Sequence, residues 1–274
     1  MNATAGNARG RVPIGVDSSK PNAARIYNYL LGGKDNYEID QLVAHRMLAN
    51  APDTRTMAWF SRQFLLKAVQ LAAENGIRQF VDIGTGIPIQ PNVHETAQKI
   101  QPSAVVACLD YDPVVYAHCT AATSGRSGVT ALLADVRHPD DVIERCRSTA
   151  AIDWSEPVAM LLVGVLHYVM DDEHPAAIIA RFRSAMAPGS YLVFTHAWSE
   201  SAQSLIDQTT TDTAGSSAQI RYRTTTEVTQ LVDGFELLHP GIAPVQDWLD
   251  PDLPITRLAI LSGIARRVSS SAPR

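Results

Sequence analysis

From residue 78 onward the chain alternates short continuous apolar runs with longer stretches whose apolar residues recur at helical spacing. Strands are predicted near 79–83, 104–109, 129–133, 158–164 and 190–196, and helices near 90–100, 113–123, 139–149 and 174–187. Strands separated by helices of this length imply right-handed crossovers and a parallel sheet. Runs such as Val105-Val106-Ala107-Cys108-Leu109 and Val158-Ala159-Met160-Leu161-Leu162-Val163 are apolar throughout, as strands covered on both faces must be.

Before residue 78 the pattern is helical only. Ala24, Tyr27, Leu30 and Leu31 share one face, and Gly32-Gly33 stops that helix. A polar loop leads to a second helix over 38–50. A third, over 54–75, carries Met57, Phe60, Phe64, Ala68 and Leu71 as a core stripe and closes at Asn75-Gly76. Residues 200–226, rich in Ser, Thr, Gln and Asp, break the alternation and read as a helix plus loop over the sheet edge. Two last strands are expected near 235–246 and 256–265, forming an antiparallel hairpin around the Pro251–Pro254 region. The expected organisation is a disordered arm over 1–20, a helical cap over 21–77, an α/β domain over 78–266 and a disordered tail over 267–274.

Composition narrows the picture only a little. A chain of 274 residues, 46% hydrophobic and 19% charged, is ordinary for one large α/β domain. A net charge of −5 with no long basic run argues against nucleic acid as the main substrate. Cys108, Cys119 and Cys146 lack Cys-x-x-Cys spacing and read as buried reduced thiols. No apolar run approaches the roughly 20 residues that span a bilayer, and no signal-peptide pattern opens the chain, so a cytoplasmic protein without a membrane partner is expected. The histidines are scattered, and no metal site is expected.

The chemistry concentrates at strand ends. Phe80-Val81-Asp82-Ile83-Gly84-Thr85-Gly86 is an apolar strand that ends in an acid and turns on two glycines. Gly84 can take backbone angles closed to other residues, and Gly86 lets main chain approach a ligand. Asp110 closes the second strand and Asp135 follows the third, about 25 residues apart, one strand–helix–strand unit each. All three acids therefore border the carboxyl edge of the sheet, where such folds bind ligands. A carboxylate at the second strand suits ribose hydroxyls, one beside the third suits an adenine amine next to the Val136 N–H, and one beside the first suits an ammonium. Each has an alternative as a helix N-cap, and Asp112 before Pro113 is read as one. A dinucleotide fingerprint would need glycine where Ile89 stands, and no Lys or Arg lies within 84–88 to clamp phosphate. S-adenosylmethionine, with ribose, adenine, ammonium and sulfonium, fits acid-lined surroundings better.

With these marks the chain resembles a class I S-adenosylmethionine-dependent methyltransferase. More narrowly, Ala24-Arg25-Ile26-Tyr27-Asn28-Tyr29-Leu30-Leu31-Gly32-Gly33-Lys34-Asp35-Asn36-Tyr37 resembles the N-terminal signature of a largely uncharacterised actinobacterial methyltransferase family. Asp110-Tyr111-Asp112-Pro113, Leu162-Val163-Gly164-Val165-Leu166-His167-Tyr168 and His239-Pro240-Gly241-Ile242 extend the match. Pro88 departs from the superfamily pattern, which usually has a third glycine there.

The resemblance implies a Rossmann-like, seven-stranded, mostly parallel sheet with an antiparallel last strand, helices on both faces and an N-terminal helical extension. It implies S-adenosylmethionine as cofactor, S-adenosylhomocysteine as product and a small-molecule acceptor. Asp82, Gly84, Thr85 and Gly86 would border the methionine part, Asp110 and Tyr111 the ribose, Asp135 and Val136 the adenine, and Gly164 and Val165 the sulfonium. The loop with Gly33, Lys34 and Asn36 would cap the cofactor. His167 is the candidate general base, with His196 and Trp198 toward the acceptor. The cofactor motifs leave open a protein that binds S-adenosylmethionine without catalysis, as a sensor or partner module.

Overall fold

The computed structural model describes residues 17–269, so the arm expected over 1–20 and the tail over 267–274 lie mostly outside the described residues. Five parallel strands make the centre: β1 (Gln79–Ile83), β2 (Val105–Asp110), β3 (Val129–Leu133), β4 (Ala159–Leu162) and β5 (Tyr191–Ala197). They stand in the order β3-β2-β1-β4-β5. The late strands are β6 (Glu236–Leu237), β7 (Ala243–Pro244) and β8 (Ile260–Arg266). β8 lies antiparallel beside β5, and β6 and β7 both pair with β8, which completes an eight-stranded sheet.

Successive strand residues face opposite layers, and both layers are apolar. On one side Phe80, Val106 and Leu161 meet α3 (Thr54–Glu74) and α4 (Val93–Ile100). On the other side Val81, Leu109 and Met160 meet α6 (Pro139–Ser148), α7 (Pro175–Ala185) and α9 (Thr225–Leu231). Phe64, Phe80, Phe182 and Phe194 are fully buried, each worth about 1.5–3 kcal/mol of burial. Between the first acid-bearing strand ends, α5 (Pro113–Thr123) starts at Asp112, whose carboxylate accepts the Val114 N–H at 2.7 Å.

The sheet is the Rossmann-like, mostly parallel one that the sequence predicts, but three details differ. The expected strand over 235–246 is two pieces of two residues each, followed directly by α10 (Val245–Leu249). Pro240 and Pro244 have no N–H to give a ladder, and Gly241 turns the chain at φ +92°. The helix expected over 90–100 starts only at Val93. Pro88 and Pro91 hold the chain irregular until Asn92, which caps α4 with Glu95 (2.8 Å). Residues 200–226 do not stay on the sheet edge. Their helix, α8 (Gln203–Asp212), packs on α2 (Glu38–Asn50) through Arg46–Asp212 at 2.9 Å and Asn50–Gln208.

A buried polar clasp joins α1 (Ala23–Leu30) and α2 to the β2–α5 turn. Asp40, with no solvent exposure, accepts from Arg25 Nε at 2.7 Å, Asn22 N at 2.9 Å and Tyr37 N at 2.9 Å. Arg25 also lies 3.8 Å from Asp112, and Asn22 Nδ2 donates to Asp112 at 2.6 Å. Both charges are desolvated, so the pair holds only while it is complete. Asp40→Ala leaves the Arg25 cation buried and is expected to cost roughly 3–5 kcal/mol in urea unfolding. A loss within about 0.5 kcal/mol, the range of ordinary surface changes, would contradict the clasp.

Candidate functional site

The carboxyl ends of the parallel strands open into one cavity of about 560 Å³, roofed by α1, α2 and residues 213–220. That is within the usual range for a small-molecule site. The register explains why the predicted acids meet there. Asp82 pairs with Cys108 and Leu161, Asp110 pairs with Leu133, and Asp135 follows two residues beyond β3. Asp82, Gly84, Thr85, Gly86, Asp110, Tyr111, Asp135, Val136, Gly164, Val165 and His167 all line the cavity.

The glycine turn is built for close approach. A Cβ on Gly84, which has φ +67°, would meet the Val165 side chain at 2.5 Å, so only glycine lets the loops after β1 and β4 touch. A Cβ on Gly86 would enter open space. The Thr85 hydroxyl donates to Asp82 at 2.7 Å, and the Gly86 N–H donates to Asp110 at 3.2 Å. Gly164 N donates to Thr195 Oγ1 at 2.8 Å, fixing the turn beyond β4.

Burial dominates the electrostatics of two of the acids. Burial pushes the Asp82 carboxyl up to about 6, against the Thr85 hydrogen bond and the nearby Arg62 charge, which lower it. Burial likewise raises Asp110 to about 6, opposed by backbone N–H groups of Asp112 and Gly86. Asp135 differs: hydrogen bonds and charge from Arg137 outweigh its burial and hold it below the usual carboxylate range. Arg137 grips both Asp135 oxygens, pairs with Glu173 at 2.8 Å and lies 5.6 Å over the Tyr111 ring.

His167 sits on a 3-10 turn, Leu166–Tyr168, with its Nδ1 buried and unpartnered. Burial, then the charges of His196 and Arg223, put its imidazole well below the ordinary value, so it is neutral near pH 7. His196 and Trp198 are not on the cavity wall. His196 is fully buried, with Nδ1 donating to the Ala197 carbonyl and Nε2 accepting from Arg223 at 2.8 Å. Trp198 packs against the core.

Gly33, Lys34 and Asn36 do not reach the cavity either. Asn28 Oδ1 accepts from Asp35 N at 3.1 Å and Asn36 Nδ2 at 2.9 Å, and a Cβ on Gly33 would strike Asn28 at 2.2 Å. The signature loop folds onto its own helix, and Lys34 is exposed. α1 itself roofs the cavity instead, through Asn22, Ala24 and Tyr27.

Two arginines were missed by the sequence reading. Arg62 lines the cavity from α3, donating to the Ile89 and Pro91 carbonyls at 2.5 Å each, with its buried Nε unpartnered. Its signal was a charge on the buried stripe of Ala58, Leu65 and Val69. Arg223 is buried and bonds Leu166 O (3.3 Å), Val169 O (3.0 Å) and Asp171 (2.6 Å), which holds the turn carrying His167. Nothing local in the sequence marks it.

These residues fit an adenosyl sulfonium cofactor. Desolvated acids face the cavity, while the arginines on its wall, Arg62 and Arg137, each already donate to protein oxygens.

Comparison with protein families matches residues 10–267 to a family described as S-adenosyl methyltransferase. A candidate methyltransferase from Thermobifida fusca is 34% identical, with TM-score 0.84 over 94% of this chain and 98% of that one. A DUF574 family protein from Streptomyces avermitilis is 30% identical, with TM-score 0.85 over 92% and 99%. The N-methyltransferase NodS of Bradyrhizobium japonicum, in complex with S-adenosyl-L-homocysteine, shares the fold at 15% identity. Its TM-score is 0.51 over 90% and 98% of the chains. Comparison with curated proteins gives no match.

The raised Asp82 carboxyl makes a signed prediction. The unfolded acid ionises near 3.8 but the folded one near 6, so its contribution to stability is full below 3.8 and is lost as pH rises through 6. Asp82→Asn keeps an acceptor for Thr85 and removes that charge. The ligand-free variant should be more stable than the parent at pH 7.5, by up to about 3 kcal/mol, with no advantage left near pH 4. Urea unfolding at the two pH values checks this, and an advantage that is absent or grows toward acid would contradict it.

Proposed function

The chain belongs to the S-adenosyl methyltransferase family, and from that premise we propose that the cavity binds S-adenosylmethionine and a small-molecule methyl acceptor side by side. The observation that carries this reading is the convergence of two buried carboxylates, Asp82 and Asp110, on one glycine-turned crevice. Asp110 would accept the ribose hydroxyls, with Tyr111 beside it. Asp82, with Gly84, Thr85 and Gly86, would border the methionine part and meet its ammonium. Asp135, already oriented by Arg137, and Val136 would take the adenine amine and ring edge. Gly164 and Val165 would lie near the sulfonium.

When bound, the cofactor supplies an electrophilic methyl group. The protein's own share is alignment and exclusion of water, to which the roof of α1, α2 and residues 213–220 would contribute. His167, kept neutral, would accept a hydrogen bond from the nucleophile and take its proton as the bond to carbon forms. A weak base suffices, because an oxygen or nitrogen that has gained a methyl group is far more acidic than before. Arg223 would act as a positioning residue, through the turn it holds.

Calorimetric titration with S-adenosylmethionine tests the reading. Saturable binding is expected, with none for NAD⁺ at the same concentrations. Asp110→Ala should weaken it by roughly tenfold to a hundredfold, the worth of hydrogen bonds to a charged group. Because ionised Asp82 and Asp110 do the holding, affinity should fall as pH drops through about 6. Binding indifferent to Asp110, or preference for NAD⁺, would sink the assignment.

A further inference from the structure

The charges on the cavity wall are not spread evenly. Its charged side chains are Arg62, Asp82, Asp110, Asp135, Arg137 and Glu173. Asp82 lies near the end of β1, Asp110 ends β2, Asp135 and Arg137 follow β3, Glu173 is paired to Arg137, and Arg62 is held on the loop after β1. All six thus belong to the half of the sheet edge assigned above to the cofactor.

The other half lies beyond β4, β5 and the start of β8, under α1, α2 and α3. Its wall is hydrocarbon: Leu30, Val43, Met47, Met57, Leu65 and Ile260 are among its lining residues. Each of these six is buried. Of the polar side chains on the cavity wall, Tyr27 and Thr54 are turned to the protein itself, and Ser61 and Tyr168 carry only uncharged hydroxyls. The Tyr27 hydroxyl donates to the Ala58 carbonyl at 3.1 Å, and the Thr54 hydroxyl to the Ala51 carbonyl at 2.7 Å. No charged side chain among the described residues is offered to a ligand there. An ion placed in such a chamber would lose its hydration with nothing to replace it, whereas an apolar ring or chain would lose only its contact with water.

We propose that the methyl acceptor is an uncharged, predominantly apolar small molecule, whose single nucleophilic group points toward His167 while its hydrocarbon body fills the chamber under α1–α3. This rests on the methyltransferase reading of the same cavity. It excludes as acceptors nucleotides, carboxylate or ammonium metabolites, and side chains of intact macromolecules. The 213–220 segment completes the enclosure: Ser217 accepts from Asn22 Nδ2 at 3.3 Å, tying it to the start of α1.

Three probes of one ring size separate charge from shape: neutral 1-naphthol, anionic 1-naphthoate and cationic 1-naphthylmethylammonium. Each is titrated calorimetrically at pH 7.5 into protein saturated with S-adenosylhomocysteine. The naphthol should bind at least about tenfold more tightly than either ion, since the ions must shed water unpaired. Ala58→Leu, which fills part of the chamber, should weaken naphthol by about tenfold while leaving S-adenosylhomocysteine affinity unchanged, which also shows that the variant is folded. Equal or tighter binding of an ion would overturn the proposal, as would binding of none of the three to the S-adenosylhomocysteine complex. Naphthol affinity untouched by Ala58→Leu would place the probe elsewhere and overturn it too. Failure of the unmodified chain to bind S-adenosylhomocysteine would instead overturn the cofactor reading, and with it the ligand's role as acceptor.

Discussion

The Arg25–Asp40 pair, with Asn22 and Asp112 completing it, is the contact that fastens the helical N-terminus over the site. It is buried, so its two charges have only each other and their hydrogen bonds to offset the loss of water. Asp112 belongs at once to this pair and to the cap of α5, at the turn that also carries Asp110. The helical N-terminus is thereby fastened to the strand end that faces the cofactor half. The carboxylates beneath it are buried, and that burial is what raises Asp82 and Asp110.

The crevice is thus at odds with itself in the absence of ligand. Two acids are held where ionisation is unfavourable, and the cavity arginines are committed to other oxygens. A ligand carrying hydroxyl donors and positive charge relieves that tension, while one carrying phosphates would add to it. The division of the cavity follows from the topology. β1, β2 and β3 end in acids, whereas the turn beyond β4 presents glycine, valine and a neutral histidine. A single sheet edge therefore offers a polar bed and an apolar chamber, without a second domain to build either one.

Much of this was legible in the chain. Continuous apolar runs located β1 through β5, and acids one strand–helix–strand unit apart located the crevice. The family signature near residues 24–37 was visible as a motif, but its physics was not. Arg25 and Asn28 act through partners brought near by folding, Asp112 in one case and a returning loop in the other, so the motif suggested a cofactor cap, whereas Lys34 and Asn36 lie off the cavity wall. Arg223 works over more than 50 residues of separation and leaves no local trace. The interrupted strand after residue 235 is different, since Pro240 and Pro244 announce it. The family match at residues 10–267 secures the class of enzyme, whereas the acceptor proposed above is argued from the chamber rather than from any motif.

The most direct measurement is a crystal structure of the chain with S-adenosylhomocysteine bound. The account predicts the ribose hydroxyls within hydrogen-bonding distance of Asp110, the adenine amine at Asp135, and empty space beyond the sulfur facing the apolar wall under α1–α3. Adenosine lying on the β4–β5 side, or a ribose with no contact to Asp110, would contradict it.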